Sequence, residues 1–122
     1  MGEKIYFNFE KLNVYQKALD YIDFVYEITS KLPQHEVYNL TSQFRRAACS
    51  IALNIGEGEG GTKKEFSNFL RISRRSIREC VVCTTISFRR KYIQNDIELE
   101  SRERLAKIAK MNIGLDKSLQ TS

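Results

Sequence analysis

Apolar residues recur at helical spacing through most of the chain and mark four amphipathic segments. In the first segment they alternate four and three positions apart, from Val14 to Leu32, which places them on one face of a helix. Similar spacing returns around residues 40–55, 66–88 and 105–119. The pattern predicts helices over about residues 13–32, 41–57, 63–91 and 97–119, and it predicts no strand.

Helix start and stop signals separate these segments. Pro33 ends the first helix, because the residue before a proline is disfavoured in the α region. Thr41 is expected to cap the second helix. The glycines at positions 56, 58, 60 and 61 are expected to provide the positive-φ residues of a C-cap and a tight corner. Thr62 and Glu65 then form a capping box. Four amphipathic helices with short connections predict an all-α fold, an antiparallel up-down four-helix bundle.

The first helix carries a second apolar row beside the first: Tyr15, Leu19, Ile22 and Tyr26. Together the two rows make an apolar face wider than one neighbouring helix can cover. Either the first helix contacts two helices of its own bundle, or the second row helps to bury an oligomer interface. The spacing alone leaves both alternatives open.

Length and composition restrict the class of protein. With 122 residues, the chain is expected to form a single domain, residues 1–122. The N-terminal residues lack the apolar core of a secretory signal, and no apolar run is long enough to cross a membrane. An odd number of cysteines, three, suggests reduced thiols. We therefore expect a cytoplasmic protein that has no membrane partner.

The residue types and spacings that support catalysis or metal binding are scarce. The glycine corner follows a helix and lacks the Lys-Ser/Thr ending of a phosphate loop. Cys80 and Cys83 have CxxC spacing but lie in mid-helix, with only Cys49 and His35 as further zinc ligands. His35 is the only histidine, so histidine-based acid–base chemistry has little to use. We expect no enzyme, no cofactor and no metal.

Positive charge is concentrated in one segment of the chain. Residues 62–91 hold nine Lys and Arg residues against two acids, although the formal net charge of the whole chain is only +5. Most of these cations project from one side of the third helix, opposite its apolar face. Arginines on one helix face are typical of phosphate binding, and a solvated surface remains the alternative. The predicted contacts to RNA or DNA are Lys64, Arg71, Arg74, Arg75, Arg78 and Arg89.

The second helix carries polar residues opposite its core face, including Arg45, Arg46, Asn54 and Glu57. Glu57, and Glu79 on the third helix, could pair with either arginine inside one subunit or between subunits. Such pairing is the more plausible use of the two carboxylates, since a catalytic pair lacks other support. The tyrosines and phenylalanines are expected to lie mostly at core positions.

Several of these residues form a specific motif. The chain resembles the four-helix-bundle family encoded in intervening sequences of bacterial 23S ribosomal RNA genes. The likeness covers about residues 9–120. It rests first on Leu12-x-Val14-Tyr15-Gln16-Lys17-Ala18 and on Leu32-Pro33-x-x-Glu36-x-Tyr38-x-Leu40-x-x-Gln43-x-Arg45-Arg46-Ala47-Ala48-x-Ser50-Ile51-x-x-Asn54-Ile55-x-Glu57-Gly58. It continues in Phe69-Leu70, Ser76-x-x-Glu79 and Gly114-Leu115-x-x-Ser118-Leu119.

The resemblance implies a bundle assembled as a ring-like homopentamer, with Arg45, Arg46, Asn54, Glu57 and Glu79 serving packing and assembly. Relatives include accessory proteins of diversity-generating retroelements, which bind a reverse transcriptase and nucleic acid through a basic surface. This chain has Asn112 where a leucine is usual, and Arg75 where a glycine is usual. The leading hypothesis is an oligomer that binds RNA or DNA backbone through the third helix. The alternative is a scaffold that docks a reverse transcriptase or another protein.

Overall fold

Four long helices account for most of the computed structural model, which describes residues 2–120. A 3-10 turn at Asn8–Lys11 precedes α1 (Asn13–Thr29), and α2 (Ser42–Glu59), α3 (Lys63–Arg89) and α4 (Asn95–Gln120) follow. No strand occurs within the described range. The predicted all-α four-helix fold is confirmed. None of the described helices is long and apolar enough to span a membrane.

The helices enclose one hydrophobic core. Helix α2 packs against α1 and α3, and α4 closes the bundle by contacting α3 and α1. The heptad row of α1 is buried along its whole length, as is the predicted face of α3 from Phe66 to Thr84. Small residues at Ala47, Ala48 and Ala52 line the buried side of α2, which permits close approach of its neighbours.

The connection between α1 and α2 differs from the prediction. Thr41 has helical φ and ψ angles and makes no capping hydrogen bond, because a π-helical turn at Val37–Thr41 leads directly into α2. The side chain of Glu36 accepts a hydrogen bond from the backbone N–H of Leu40 instead. The predicted cap at Thr41 is therefore wrong, and the chain enters α2 through a continuous helical path.

The glycine corner also forms for a different reason than expected. No glycine in residues 2–120 has a positive φ, so the predicted left-handed C-cap is wrong. Gly58 is required by packing: a Cβ atom there would lie 2.6 Å from the Cβ atom of Phe69 and 2.9 Å from a ring carbon of Phe66. The absence of a side chain lets α2 and α3 meet closely at their junction. The capping box of Thr62 and Glu65 is confirmed.

Helix α4 presents a more polar face to the bundle than its apolar pattern predicts. Leu105 and Ile108 are buried as expected, but Met111, Leu115 and Leu119 lie only partly buried at the margin. Their place on the buried face is taken by two polar residues, Asn112 and Asp116. Met111, Leu115 and Leu119 still pack against the core, as their spacing predicts, but hydrophobicity did not indicate the two buried polar residues.

Candidate nucleic-acid interface

Three arginines form a row along the outer face of α3. Arg71, Arg75 and Arg78 are all exposed, and no carboxylate in residues 2–120 forms an ion pair with any of them. From the first to the last, the row covers about 10 Å of helix axis. Duplex DNA carries roughly six phosphates over that length. The row therefore presents three positive charges without ion-pair partners, at a spacing suited to a nucleic-acid backbone. We call these three residues the α3 arginine row.

The other predicted cations flank this row. Lys64 is exposed in the first turn of α3, and Arg89 is exposed in its last turn. Exposed Val82 and Ile86 separate Arg89 from the row. Arg89 joins a second basic group with the exposed Arg90 and Lys91, which the site prediction omitted although the three are consecutive in sequence.

Arg74 is placed differently from its neighbours. Its Nη1 atom lies 2.9 Å from Oδ2 of Asp116 and donates a 2.6 Å hydrogen bond to Oδ1 of Asn112. Asn112 is fully buried and in turn donates to the backbone carbonyl of Leu70. The predicted exposed position of Arg74 is therefore wrong, because α4 supplies its counter-charge. Arg74 joins α3 to α4 and does not belong to the α3 arginine row.

The carboxylate of Asp116 is held in its charged form. Burial alone would raise the pKa of Asp116, but hydrogen bonds from Ser67 and Arg74 and the charge of Arg74 outweigh that effect. The pKa of Asp116 consequently lies below its ordinary value. The Ser67 hydroxyl lies 2.5 Å from Oδ1, so both carboxylate oxygens have partners on α3.

Glu57 and Glu79, which were predicted to serve assembly, form no ion pair among residues 2–120. Glu79 lines a shallow depression of about 310 Å³ with Arg75, Arg78 and Val82, and Glu57 is exposed near the end of α2. Neither forms an ion pair with Arg45 or Arg46 within the described chain. Of the two alternatives for these carboxylates, pairing inside one subunit is not observed among residues 2–120. Pairing between subunits stays a prediction.

The two arginines of α2 have separate environments. Arg45 donates from Nε to Oγ1 of Thr29 at 2.8 Å, and its guanidinium lies over the ring of Tyr26, 4.5 Å from the ring centre. Arg46 is exposed and has no ion-pair partner among residues 2–120. Arg45 therefore joins α2 to the end of α1, whereas Arg46 extends from the surface.

Asn54 contributes to the contact between α2 and α3. Its amide donates to the carbonyl and to the hydroxyl of Ser50, at 2.8 and 3.0 Å. Ser50 in turn accepts a 2.8 Å hydrogen bond from the Ser76 hydroxyl. Asn54 thus positions a serine–serine contact at the crossing of the two helices. This geometry is compatible with the packing role that the resemblance implies for Asn54.

An apolar groove of about 580 Å³ runs between α1 and α2. The second apolar row of α1 contributes three residues to it, and Leu53 of α2, whose exposed fraction is 62%, lies at its side. We define the α1–α2 groove by Phe9, Tyr15, Leu19, Ile22, Cys49, Ala52, Leu53, Gly56 and Glu57. The bundle therefore covers the second row only in part: Tyr15, Leu19 and Ile22 are half-buried, and Tyr26 is exposed.

The thiols of the CxxC pair are buried in the core. Desolvation raises the pKa of both thiols, to about 11 for Cys83 and further for Cys80. The thiolate, which is the nucleophilic and metal-binding form, is strongly disfavoured there. No cluster of three or more metal-ligating side chains occurs in the described residues.

Aromatic residues are more exposed than the sequence analysis expected. Tyr38 has 93% of its surface exposed, and Tyr6, Phe7, Tyr26 and Phe88 are also exposed. The expectation that tyrosines and phenylalanines lie mostly in the core is wrong for these five. Tyr38 could have been recognised from its place in the connection after Pro33, outside both helical rows.

Comparison with known proteins identifies the family. A family model described as 23S rRNA-intervening sequence protein matches residues 10–114. A crystal structure of a protein of unknown function from the S23 ribosomal protein family of Bacteroides thetaiotaomicron is similar in fold, with a TM-score of 0.79 and 23% identity over 85% of this chain and 98% of that chain. No curated protein matches. The chain belongs to the 23S rRNA-intervening sequence protein family.

Proposed function

We propose that this protein binds the sugar–phosphate backbone of RNA or DNA through the α3 arginine row, without catalysing a reaction. The observation that carries the proposal is that Arg71, Arg75 and Arg78 share one exposed face and form no ion pair within residues 2–120. Each guanidinium can donate two parallel hydrogen bonds to one phosphate. Lys64 and Arg89 would extend the contact at either end of α3. We also propose that the protein acts in the cytoplasm.

Reversing the α3 arginine row tests this proposal. We expect the triple variant Arg71→Glu, Arg75→Glu, Arg78→Glu to lose at least about tenfold in affinity for a labelled duplex near 100 mM salt, because about three phosphate contacts are removed. The slope of log affinity against log salt should fall by about two to three. Fluorescence anisotropy over a salt series measures both quantities.

A matched control is available on α4. Lys107, Lys110 and Lys117 are exposed and form no ion pair in the described chain. Reversing all three to glutamate gives the same net charge as the α3 variant. If the α4 variant loses as much affinity as the α3 variant, binding follows overall charge and the α3 arginine row is not the interface. Tight binding that persists at several hundred millimolar salt would also contradict the proposal.

We further propose that the chain associates with itself through the α1–α2 groove. A second exposed apolar surface lies on α3, where Ile72, Val82 and Ile86 follow one side of the helix. Both surfaces are apolar, and they differ from each other. A contact between different faces is heterologous and can close into a ring, in agreement with the pentamer that the resemblance implies.

Substitution of Leu53 tests the self-association. Leu53→Asp places a charge in the apolar groove, and we expect multi-angle light scattering to show a shift of the oligomer towards monomer. Leu99→Asp is the control, since Leu99 is half-exposed on α4, outside the groove. A protein that is already monomeric without substitution would contradict self-association. It would favour the alternative, a scaffold whose groove docks a reverse transcriptase or another protein.

A further inference from the structure

A pocket of about 570 Å³ lies where the end of α1, the connecting turns and the start of α2 meet. Its walls include two arginines and two tyrosines, together with several hydroxyl groups, and no acidic residue lines it. Pockets that hold small ligands typically have volumes of about 300–1,000 Å³. We define the corner pocket by the four residues Tyr26, Tyr38, Arg45 and Arg46.

One side of the corner pocket is rigid. Arg45 is fixed by its hydrogen bond to Thr29 and by its position over the ring of Tyr26. A guanidinium has five N–H donors, and the contacts with Thr29 and the Tyr26 carbonyl use only two of them. The other three donors are not used by these contacts, and Arg45 lines the pocket. A guanidinium that is held in this way loses little freedom when it binds an anion.

The other side of the corner pocket is open and aromatic. Tyr38 is 93% exposed and belongs to the π-helical turn Val37–Thr41. Single π-helical turns are rare in proteins and occur frequently at functional sites. The ring of Tyr38 is therefore accessible to a flat ligand. The exposed guanidinium of Arg46 lines the same pocket and supplies a second positive charge.

We propose that the corner pocket binds one unpaired nucleotide of a single-stranded nucleic acid. In this arrangement Tyr38 stacks on the base, and Arg45 and Arg46 bind the adjacent phosphate. Stacking on aromatic side chains requires a base that is free of its partner strand. The α3 arginine row, in contrast, binds the backbone of single strands and duplexes alike. The inference rests on the proposed function and adds a preference for single strands.

The test compares binding of a single-stranded RNA and of a duplex with the same sequence. A length of about twelve nucleotides suits the roughly 4–16 nucleotides that a small single-strand-binding domain covers. We expect Tyr38→Ala to weaken single-strand binding by about five- to 100-fold, the range that loss of one stacked base produces. Duplex affinity should change less than twofold, because this substitution leaves the charge of the protein unchanged.

Two control variants test whether the effect comes from the aromatic ring of Tyr38. Tyr38→Phe keeps the aromatic face and should bind within twofold of the unmodified protein. Tyr6→Ala removes another exposed tyrosine, which lies in the N-terminal segment outside the pocket, and it should also have no effect. Photocrosslinking with a 5-iodouridine-substituted strand should attach the RNA to the peptide that contains Tyr38.

The outcomes separate the corner pocket from the α3 arginine row. Unchanged single-strand binding in Tyr38→Ala, or equal losses for both probes, overturns the pocket. If the α3 triple reversal still weakens the binding of both probes, the proposed function stands without the corner pocket. If only Tyr38→Ala weakens single-strand binding, the pocket stands and the α3 arginine row fails. If the unmodified protein binds neither probe at low salt, both proposals are overturned, and an acidic segment of a protein becomes the favoured ligand.

Discussion

Arg74 and Arg75 are adjacent in sequence, identical in chemistry and opposite in placement. Arg74 reaches α4, where Asp116 and the buried Asn112 satisfy its guanidinium. Arg75 lies one residue further around the helix, is exposed and has no ion pair within residues 2–120. A rotation of about 100° per residue therefore separates an arginine that joins two helices from one that can meet a ligand. Counting arginines on a helix does not distinguish the two.

The largest difference between these two residues should appear in stability. Arg74→Ala leaves the mostly buried carboxylate of Asp116 and the side chain of Asn112 without their shared donor. We expect a loss of about 2–3 kcal/mol in the free energy of unfolding. Arg75→Ala should change it by less than about 0.5 kcal/mol. Urea denaturation followed by circular dichroism measures both, and equal losses would contradict the assigned roles.

For nucleic-acid affinity we expect the reverse: substitution of Arg75 should have the larger effect, and substitution of Arg74 the smaller one. Arg75→Gln removes one unpaired charge, and we expect about a three- to tenfold loss for a labelled duplex near 100 mM salt. The double variant Arg74→Gln, Asp116→Asn removes a pair whose charges already cancel, so its affinity should change less than twofold. Anisotropy titrations of both variants provide the comparison. A greater loss of affinity in the double variant would show that Arg74 does contribute to the interface.

The smallest expected effect is the pH dependence of the stability that Asp116, the partner of Arg74, contributes. The pKa of Asp116 is lower in the folded protein than in the unfolded chain, where an aspartate titrates near about 3.9. The resulting stabilisation is complete above the unfolded pKa and is lost as the pH falls through the folded pKa. The stability difference between the unmodified protein and Asp116→Asn should therefore be constant from about pH 5 to 7 and should shrink below about pH 4. Urea denaturation at each pH measures this stability difference. A difference that increases below pH 4 would contradict the lowered pKa of Asp116.

The candidate site was only partly predictable from sequence. The exposed positions of Lys64, Arg71, Arg75 and Arg78 follow from the periodicity of α3, because its apolar residues define the buried side. Arg74 was misplaced because its partner lies 42 positions away, on a different helix. The corner pocket was missed for a related reason. Its residues come from α1, the π-helical turn and α2, and none of these segments has a recognisable motif for nucleotide binding.

The sequence by itself determined the four helices, the core faces of α1 and α3, the capping box at Thr62 and the family. Each depends on spacing within one helix or on a local motif, which the chain order contains directly. Only the tertiary structure decided that Gly58 serves close packing, that Asn112 and Asp116 replace apolar residues on the inner face of α4, and that Arg74 is paired. These features depend on which side chains of different helices meet. Because a buried polar group is stable only beside a partner, its position is settled by the packing of the whole bundle.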